Sequence, residues 1–233
     1  MIVRRRSIVV LLIGMLAVLP GFSIAAPVAE SVTGEVTVTV SGRSFLLQPG
    51  QVLDNGFVLT SQQGASALIR FDDGQVIVLA AASVFKLDNY RFSPSKPTEN
   101  RSEVELVRGA MRFVSGLLGK QTPEAVKIKT QTATIGIRGT DFMIATGSLY
   151  VTVGDGGVVL TNATGTYVLN PGTLWQLASP QAVPTVISIQ QLPAAVSSYF
   201  QSLQAIQVSG IALPNVGVPG YQVTQQVTGV LSV

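Results

Sequence analysis

Residues 67–79 read Ala-Leu-Ile-Arg-Phe-Asp-Asp-Gly-Gln-Val-Ile-Val-Leu, two apolar runs separated by a short polar segment. In the first run, Ala67, Ile69 and Phe71 occupy every second position, as in a strand with one buried face. The Asp73-Gly74 step favours a tight turn, because glycine accepts the positive φ that such turns need. The stretch therefore predicts a β-hairpin.

The period of two continues on both sides of this hairpin. Apolar and polar residues alternate over residues 35–40 and again over residues 103–106. We also predict a second hairpin, in which Tyr150–Val153 and Val158–Leu160 flank the turn Gly154-Asp155-Gly156-Gly157. Short strands punctuated by glycine and aspartate predict an all-β domain over residues 32–178, and the polar loop Ser93–Asn100 divides it into two halves.

The two halves contain an internal repeat. At one constant offset, apolar residues and a Pro-Gly step of the first half meet similar residues of the second. The shared unit is a strand, a turn, an aromatic strand and Leu-x-Pro-Gly, and it predicts stacked layers of a β-sandwich or of a short β-solenoid. The aligned pairs are Val36 with Val158, Val38 with Leu160, Phe45 with Tyr167, Leu47 with Leu169, Pro49 with Pro171, Gly50 with Gly172, and Val52 with Leu174.

The composition excludes several kinds of chemistry. The chain has no histidine and no cysteine, which removes zinc and copper sites, triads that need either residue, and disulfides. Carboxylates remain, and Glu103 with Glu105 would be the candidates for a hydrolase. Because these two lie on the solvated face of an alternating strand, we predict no catalytic residue and no enzyme. We also predict no metal and no cofactor.

The formal charge of +3 comes from the leader. Of 15 Lys and Arg against 12 Asp and Glu, three are Arg4–Arg6, so the rest of the chain is neutral. Phosphate recognition needs a basic stripe with interleaved aromatic residues, and we predict no nucleic-acid partner.

The first residues have the pattern of a secretory signal peptide. Arg4–Arg6 precede an apolar run from Ile8 to Leu19, and the small residues Ser23 and Ala25 follow before Pro27. We predict a signal peptide over residues 1–25, cleavage between Ala25 and Ala26, and a periplasmic or secreted protein. The alternative is an uncleaved anchor, in which case the leader would be the contact with the membrane.

Residues 179–233 form a Pro/Gln-rich region with a different pattern. An apolar stripe at helical spacing predicts an amphipathic helix at about residues 193–208, followed by a tail. A helix of this length needs a surface to pack on. That surface is either its own β domain or an unidentified partner protein in the envelope. The stripe consists of Leu192, Val196, Tyr199, Leu203 and Ile206.

The most distinctive segment is Thr132–Phe142, which contains Gly136-Ile137-Arg138-Gly139-Thr140-Asp141. Gly136 and Gly139 suggest a place where two backbones approach closely. One interpretation is structural, with Arg138 bonded to carbonyl groups or to Asp141 across a turn. The other is that Arg138 presents a bidentate site to a carboxylate or a sugar acid.

This segment resembles the signature of FecR-type domains, the periplasmic modules of bacterial iron-uptake regulators. The similarity extends over about residues 32–177 and includes Gly34-Glu35-Val36, Val107-Arg108-Gly109-Ala110 and Gly157-Val158-Val159. The resemblance implies an extracytoplasmic, β-rich module without catalytic residues. In the regulators such a module relays a signal to a cytoplasmic segment that binds a sigma factor. Only Met1–Arg6 would lie inside the cell here, so we expect a stand-alone exported form without that segment.

We therefore expect a non-enzymatic module for protein interaction, sensing or signalling in the bacterial envelope. The alternative is a module that binds cell-wall or surface polysaccharide, for which exposed aromatic rings would be needed. The candidate rings are Trp175, Tyr150 and Tyr167.

Overall fold

The structure, a computed structural model, describes residues 26–208 and consists mainly of β-strands. The all-β prediction is confirmed, and so is a helix near the C-terminal end of the described residues. The predicted leader and the tail after Val208 lie outside the described residues, apart from Ala26. Within residues 26–208, the structure has no helix that is long and apolar enough to cross a membrane.

Fifteen strands and two α-helices make up this part of the chain. The helices are α1 (Leu117–Gln121) and α2 (Ala194–Ala205). In chain order the strands are β1 (Val28–Thr33), β2 (Val36–Val40), β3 (Arg43–Leu46), β4 (Val58–Ser61), β5 (Ser66–Arg70), β6 (Val76–Leu79), β7 (Val84–Arg91), β8 (Arg101–Arg108), β9 (Ala110–Val114), β10 (Val126–Lys129), β11 (Thr134–Ala145), β12 (Leu149–Asn162), β13 (Gly165–Leu169), β14 (Leu174–Leu177) and β15 (Thr185–Ile187).

The hairpin predicted from residues 67–79 is present. Strands β5 and β6 pair antiparallel, with Ala67 opposite Leu79 and Arg70 opposite Val76. The turn needs its glycine, because Gly74 has a φ of +85°.

The prediction of a second hairpin, with its turn at Gly154–Gly157, is wrong. Gly154–Gly157 do not turn the chain back, because they lie inside the single long strand β12. Gly156 has a φ of +73°, and in an extended chain one such residue produces a bulge and a bend instead of a reversal. The hairpins that β12 does form are with β11 before it and with β13 after it.

All strands belong to one curled sheet. Its first layer runs in the order β3-β2-β4-β7-β8-β10-β11-β12-β13, and its second layer joins β1, β5, β6 and β9 to β11, β12, β14 and β15. The long strands β11 and β12 contribute their outer halves to the first layer and the halves next to their connection to the second. One hydrophobic core lies between the layers.

Two successive register shifts in the β11–β12 pairing, between Arg138 and Asp141 and between Asp141 and Phe142, allow this double use. Arg138 pairs with Gly157 and Asp141 with Asp155, so two residues of β11 lie opposite Gly156 alone. Ile137 precedes the bulge and Phe142 follows it, and both are buried in the same core. They are an odd number of residues apart, so without the extra residue one of them would face away from the core.

The predicted repeat is seen as two equivalent hairpins. Strands β2 and β3 pair with Thr37 opposite Leu46, and β12 and β13 pair with Val159 opposite Val168 at the same register. Each hairpin even carries the same cross-strand hydroxyl pair. The oxygens are 2.7 Å apart in Thr39–Ser44 and 3.1 Å apart in Thr161–Thr166.

Helix α2 covers the outer face of the second layer, over a separate apolar cluster. Leu192, Val196 and Leu203 of the predicted stripe are buried there. Phe200, which the stripe did not include, is 2% exposed and packs in the same cluster. The structure therefore shows α2 packed on its own β domain, which is one of the two surfaces considered for the helix.

The packing of α2 predicts a large effect of truncating Phe200. Phe200→Ala should lower the free energy of unfolding by about 3–5 kcal/mol, because it removes a fully buried aromatic side chain. The measurement is urea unfolding, with Gln201→Ala on the exposed side of the same helix as the control. Equal stability of the two variants would mean that α2 does not pack on the sheet.

Candidate functional site

The predicted signature Gly136–Asp141 lies at the bend of the β11–β12 hairpin. Its backbone is held by a close approach between the two strands. A Cβ atom on Gly156 would lie 1.9 Å from the carbonyl oxygen of Gly139, so only glycine fits there. Gly139 has a φ of +55° but open space around it, and a Cβ on Gly136 would make an ordinary contact 3.8 Å from Val159 O. Of the two glycines predicted to mark a close approach, Gly139 contributes its carbonyl to one and Gly136 does not; the residue that must lack a side chain is Gly156.

Thr140 connects the bend to both neighbouring strands. Its hydroxyl donates to the carbonyl oxygen of Asp155 at 2.6 Å. Its backbone N–H donates to Ser115 Oγ at 2.8 Å, and its carbonyl accepts from the Ser115 N–H at 2.9 Å. Because these bonds satisfy the groups that the bulge removes from the ladder, the buried Thr140 has a structural role.

Asp141 forms a buried ion pair, but its partner is Arg112 and not Arg138. Arg112 Nε donates to Asp141 Oδ1 at 2.9 Å and Arg112 Nη2 to Asp141 Oδ2 at 2.5 Å. The Arg112 side chain is 3% exposed, and that of Asp141 is 8% exposed. The predicted Arg138–Asp141 pair is therefore wrong: Arg138 lies on the outer face of the first layer, whereas Asp141 lies on the outer face of the second layer, where Arg112 is its partner.

The sequence analysis missed Arg112, although a signal was present. It is the one charged residue of β9, whose other residues are apolar and buried. It lies on the face that α2 covers, and Arg112 Nη1 has no hydrogen-bond partner among the described atoms. A charge inside an otherwise apolar strand indicates a buried partner.

The Arg138 side chain is exposed and makes no hydrogen bond or ion pair with a described residue. It lies on the outer face of the first layer, together with Thr134 and Gly136 of the same strand. Of the predicted signature, Arg138 is thus the charged group that remains available to a ligand. The bidentate site proposed for it from the sequence stays a prediction.

A second buried polar cluster surrounds Asp73, which the sequence suggested only as a turn residue. Asp73 Oδ1 accepts from the Gln75 N–H at 2.9 Å, and Oδ2 accepts from the Leu118 N–H at 3.2 Å. The Tyr90 hydroxyl donates to Asp72 and, at 3.3 Å, to Asp73. Burial raises the pKa of Asp73 above its ordinary value of 3.8, and burial together with the charge of Asp73 raises the pKa of Tyr90. The cluster joins the β5–β6 turn to β7 and α1.

The carboxylates considered for hydrolysis are engaged by lysines on the outer face of the first layer. Lys86 Nζ lies 3.0 Å from Glu105 and 3.3 Å from Asp88. Lys129 Nζ lies 3.5 Å from Asp88 and 3.7 Å from Glu103. The arrangement is a partly exposed ladder of alternating charge, in which Glu103 and Glu105 are paired with cations.

The three aromatic residues considered for polysaccharide binding contribute to the packing. Tyr150 is buried under the α2 cluster, and Trp175 and Tyr167 pack against the main core. The Trp175 indole N–H donates to Thr173 Oγ1 at 2.6 Å. Tyr150 is thus buried, whereas Trp175 and Tyr167 are partly buried.

The ion pair at the bend predicts a contrast between two variants. Asp141→Asn should lower the free energy of unfolding by about 3 kcal/mol, because it leaves the buried Arg112 guanidinium uncompensated. Arg138→Lys should change it by less than about 0.5 kcal/mol, because Arg138 is exposed and unpaired. Urea unfolding measures both, and a loss for Arg138→Lys as large as that for Asp141→Asn would contradict the assignment.

The Asp73 cluster predicts a pH dependence of stability. Because its pKa is raised in the folded state, Asp73 favours the fold most when protonated, below its ordinary pKa of 3.8. That contribution is lost as the pH rises through the folded pKa. Asp73→Asn cannot titrate, so wild type should lose stability relative to this variant as the pH rises from about 3.5. Unfolding curves across the acid range measure this, and a difference that is constant or changes in the opposite direction would refute it.

Comparisons with known proteins agree with the sequence resemblance. The family model described as FecR protein matches residues 57–159. These residues run from just before β4 into β12 and include the bend and its ion pair. No curated protein matches the chain.

Two crystal structures of a candidate anti-sigma factor from Parabacteroides distasonis ATCC 8503, at 1.65 Å and 2.50 Å resolution, are similar to this chain. The TM-scores are 0.45 and 0.46, and the sequence identity is 17% in both. The similarity covers 56% of this chain and 59% of the solved chain, so it spans less than two thirds of that protein.

The predicted domain limits of 32–178 extend beyond the matched residues and stay a prediction. The family match indicates a module of signalling or sensing. The chain therefore carries a FecR domain, at residues 57–159.

Proposed function

We propose that this chain is an exported, non-enzymatic FecR-domain protein that acts through protein–protein contacts in sensing or signalling at the bacterial envelope. The match of residues 57–159 to the FecR family carries the proposal. The leader pattern before Ala26 supports export to the periplasm or beyond the cell.

The use of the polar side chains supports a non-enzymatic role. Arg112 and Asp141 neutralise each other inside the fold, and Asp73 bonds the backbone of Gln75 and Leu118. Glu103 and Glu105 are the carboxylates that share a strand face, and lysines pair with both. A general acid and base would need carboxyl groups that are free to exchange protons with a substrate.

The outer face of the first layer is the surface that we assign to the partner. Its charges alternate in sign, which gives register and selectivity to a contact more than raw affinity. Arg138 lies on this face without an internal partner, and its planar guanidinium suits a carboxylate of a partner protein. The α2 stripe is less suited to this role, because its own domain already buries it.

The test is photo-crosslinking in the native host. A photoreactive residue at Thr134 or at Arg138 should give a discrete adduct with an envelope protein, identified by mass spectrometry. The same residue at Ser202, on the exposed side of α2, is the matched control.

Export is tested on the same material by determining the mature N-terminus. The proposal expects a protein that begins at Ala26 and fractionates outside the cytoplasm. Retention of Met1 in the cytoplasm would overturn the export part. An adduct with polysaccharide instead of protein would contradict a protein partner and would favour the alternative, a polysaccharide-binding module.

A further inference from the structure

The first layer ends in two equivalent strands, β3 and β13. Each belongs to one copy of the repeated hairpin, and each pairs with one neighbour, β2 or β12. The backbone groups on the far side of both strands make no hydrogen bond to other described residues. We propose that copies of this chain associate head to tail, with β13 of one copy added to β3 of the next.

The same position of the repeat carries an exposed apolar side chain at both edges. Leu46 on β3 and Val168 on β13 are each 55% exposed. They correspond in register, because Leu46 lies opposite Thr37 and Val168 opposite the equivalent Val159. Both therefore point from the outer face of the same layer, where cross-strand contact between them would cover both.

Neither edge strand contains a proline, and the two strands together carry one charge. Proteins commonly block a free edge with charged residues, proline or a covering segment. Strand β13 contains no charged residue and no proline, and β3 contains Arg43 as its one charge. With a single charge between them, the two edges can meet without a like-charge penalty.

The strand directions favour a pairing of β3 with β13 of another copy. Between the two edges the layer contains seven antiparallel pairings and one parallel pairing, β8 with β10. Strands β3 and β13 therefore run in opposite directions. A second copy placed beside the first in the same orientation brings its β13 antiparallel to β3, and the ladder continues.

The consequence is an open or ring-like assembly and not a two-fold dimer. The contact uses two different edges, so each copy keeps one edge for the next. Sheet twist rotates successive copies relative to one another. Because both edge strands are short, the association is reversible and increases with concentration. This inference goes beyond the proposed envelope function and does not depend on it.

Cysteine crosslinking tests the pairing, since the chain has no cysteine of its own. Leu46→Cys and Val168→Cys are purified separately, mixed and oxidised. Head-to-tail pairing should give the mixed disulfide in excess over either homodimer, because a disulfide needs Cα atoms within about 7 Å. The control is Leu46→Cys mixed with Val186→Cys, whose residue is 57% exposed on β15 of the second layer.

Sedimentation supplies the second measurement. The sedimentation coefficient of the purified chain should rise with concentration, and Leu46→Lys or Val168→Lys should abolish the rise while Val186→Lys should not. Circular dichroism confirms that each variant is folded. A monomer at every concentration would overturn the proposal, as would homodimers in excess or a mixed disulfide no stronger than the control. A failure here would leave the crosslinking test of the envelope function unaffected.

Discussion

The approach of Gly156 to the carbonyl of Gly139 is the constraint on which the rest of this fold depends. A side chain at Gly156 would occupy the space of that carbonyl oxygen. Without a side chain, β12 bends with a positive φ at Gly156, and β11 accommodates one extra residue opposite it. The bend lets one pair of long strands contribute to both layers of the sheet.

Several features of the domain follow from this bend. The extra residue shifts the alternation of side chains, so that buried residues of both halves of β11 face one core. The same shift turns Asp141 away from that core, to the face of the second layer that α2 covers, where Arg112 pairs with it. Arg138, before the bulge, stays on the solvated face. One motif of the sequence thus divides into a structural part and an exposed part, and the exposed part is available for recognition.

Local sequence patterns predicted local structure, whereas features that depend on contacts between distant residues could not be predicted from the sequence. The turn at Gly74 and the helical stripe depend on neighbours in sequence, and both were predicted, although Tyr199 was chosen where Phe200 is the deeper anchor. Gly156 was misread as part of a turn, because glycine marks bulges as well as turns. The partner of Asp141 is separated from it by 29 residues, and only the strand order reveals it.

The most direct measurement of this account is the free energy of unfolding of three glycine-to-alanine variants. Gly156→Ala should cost at least about 2 kcal/mol, from the positive φ together with the contact with Gly139 O. Gly139→Ala should cost less, since it has the positive φ but open space. Gly157→Ala should be neutral, because its Cβ would lie 3.7 Å from Arg138 Cβ. Equal stability of the Gly156→Ala and Gly157→Ala variants would contradict the account.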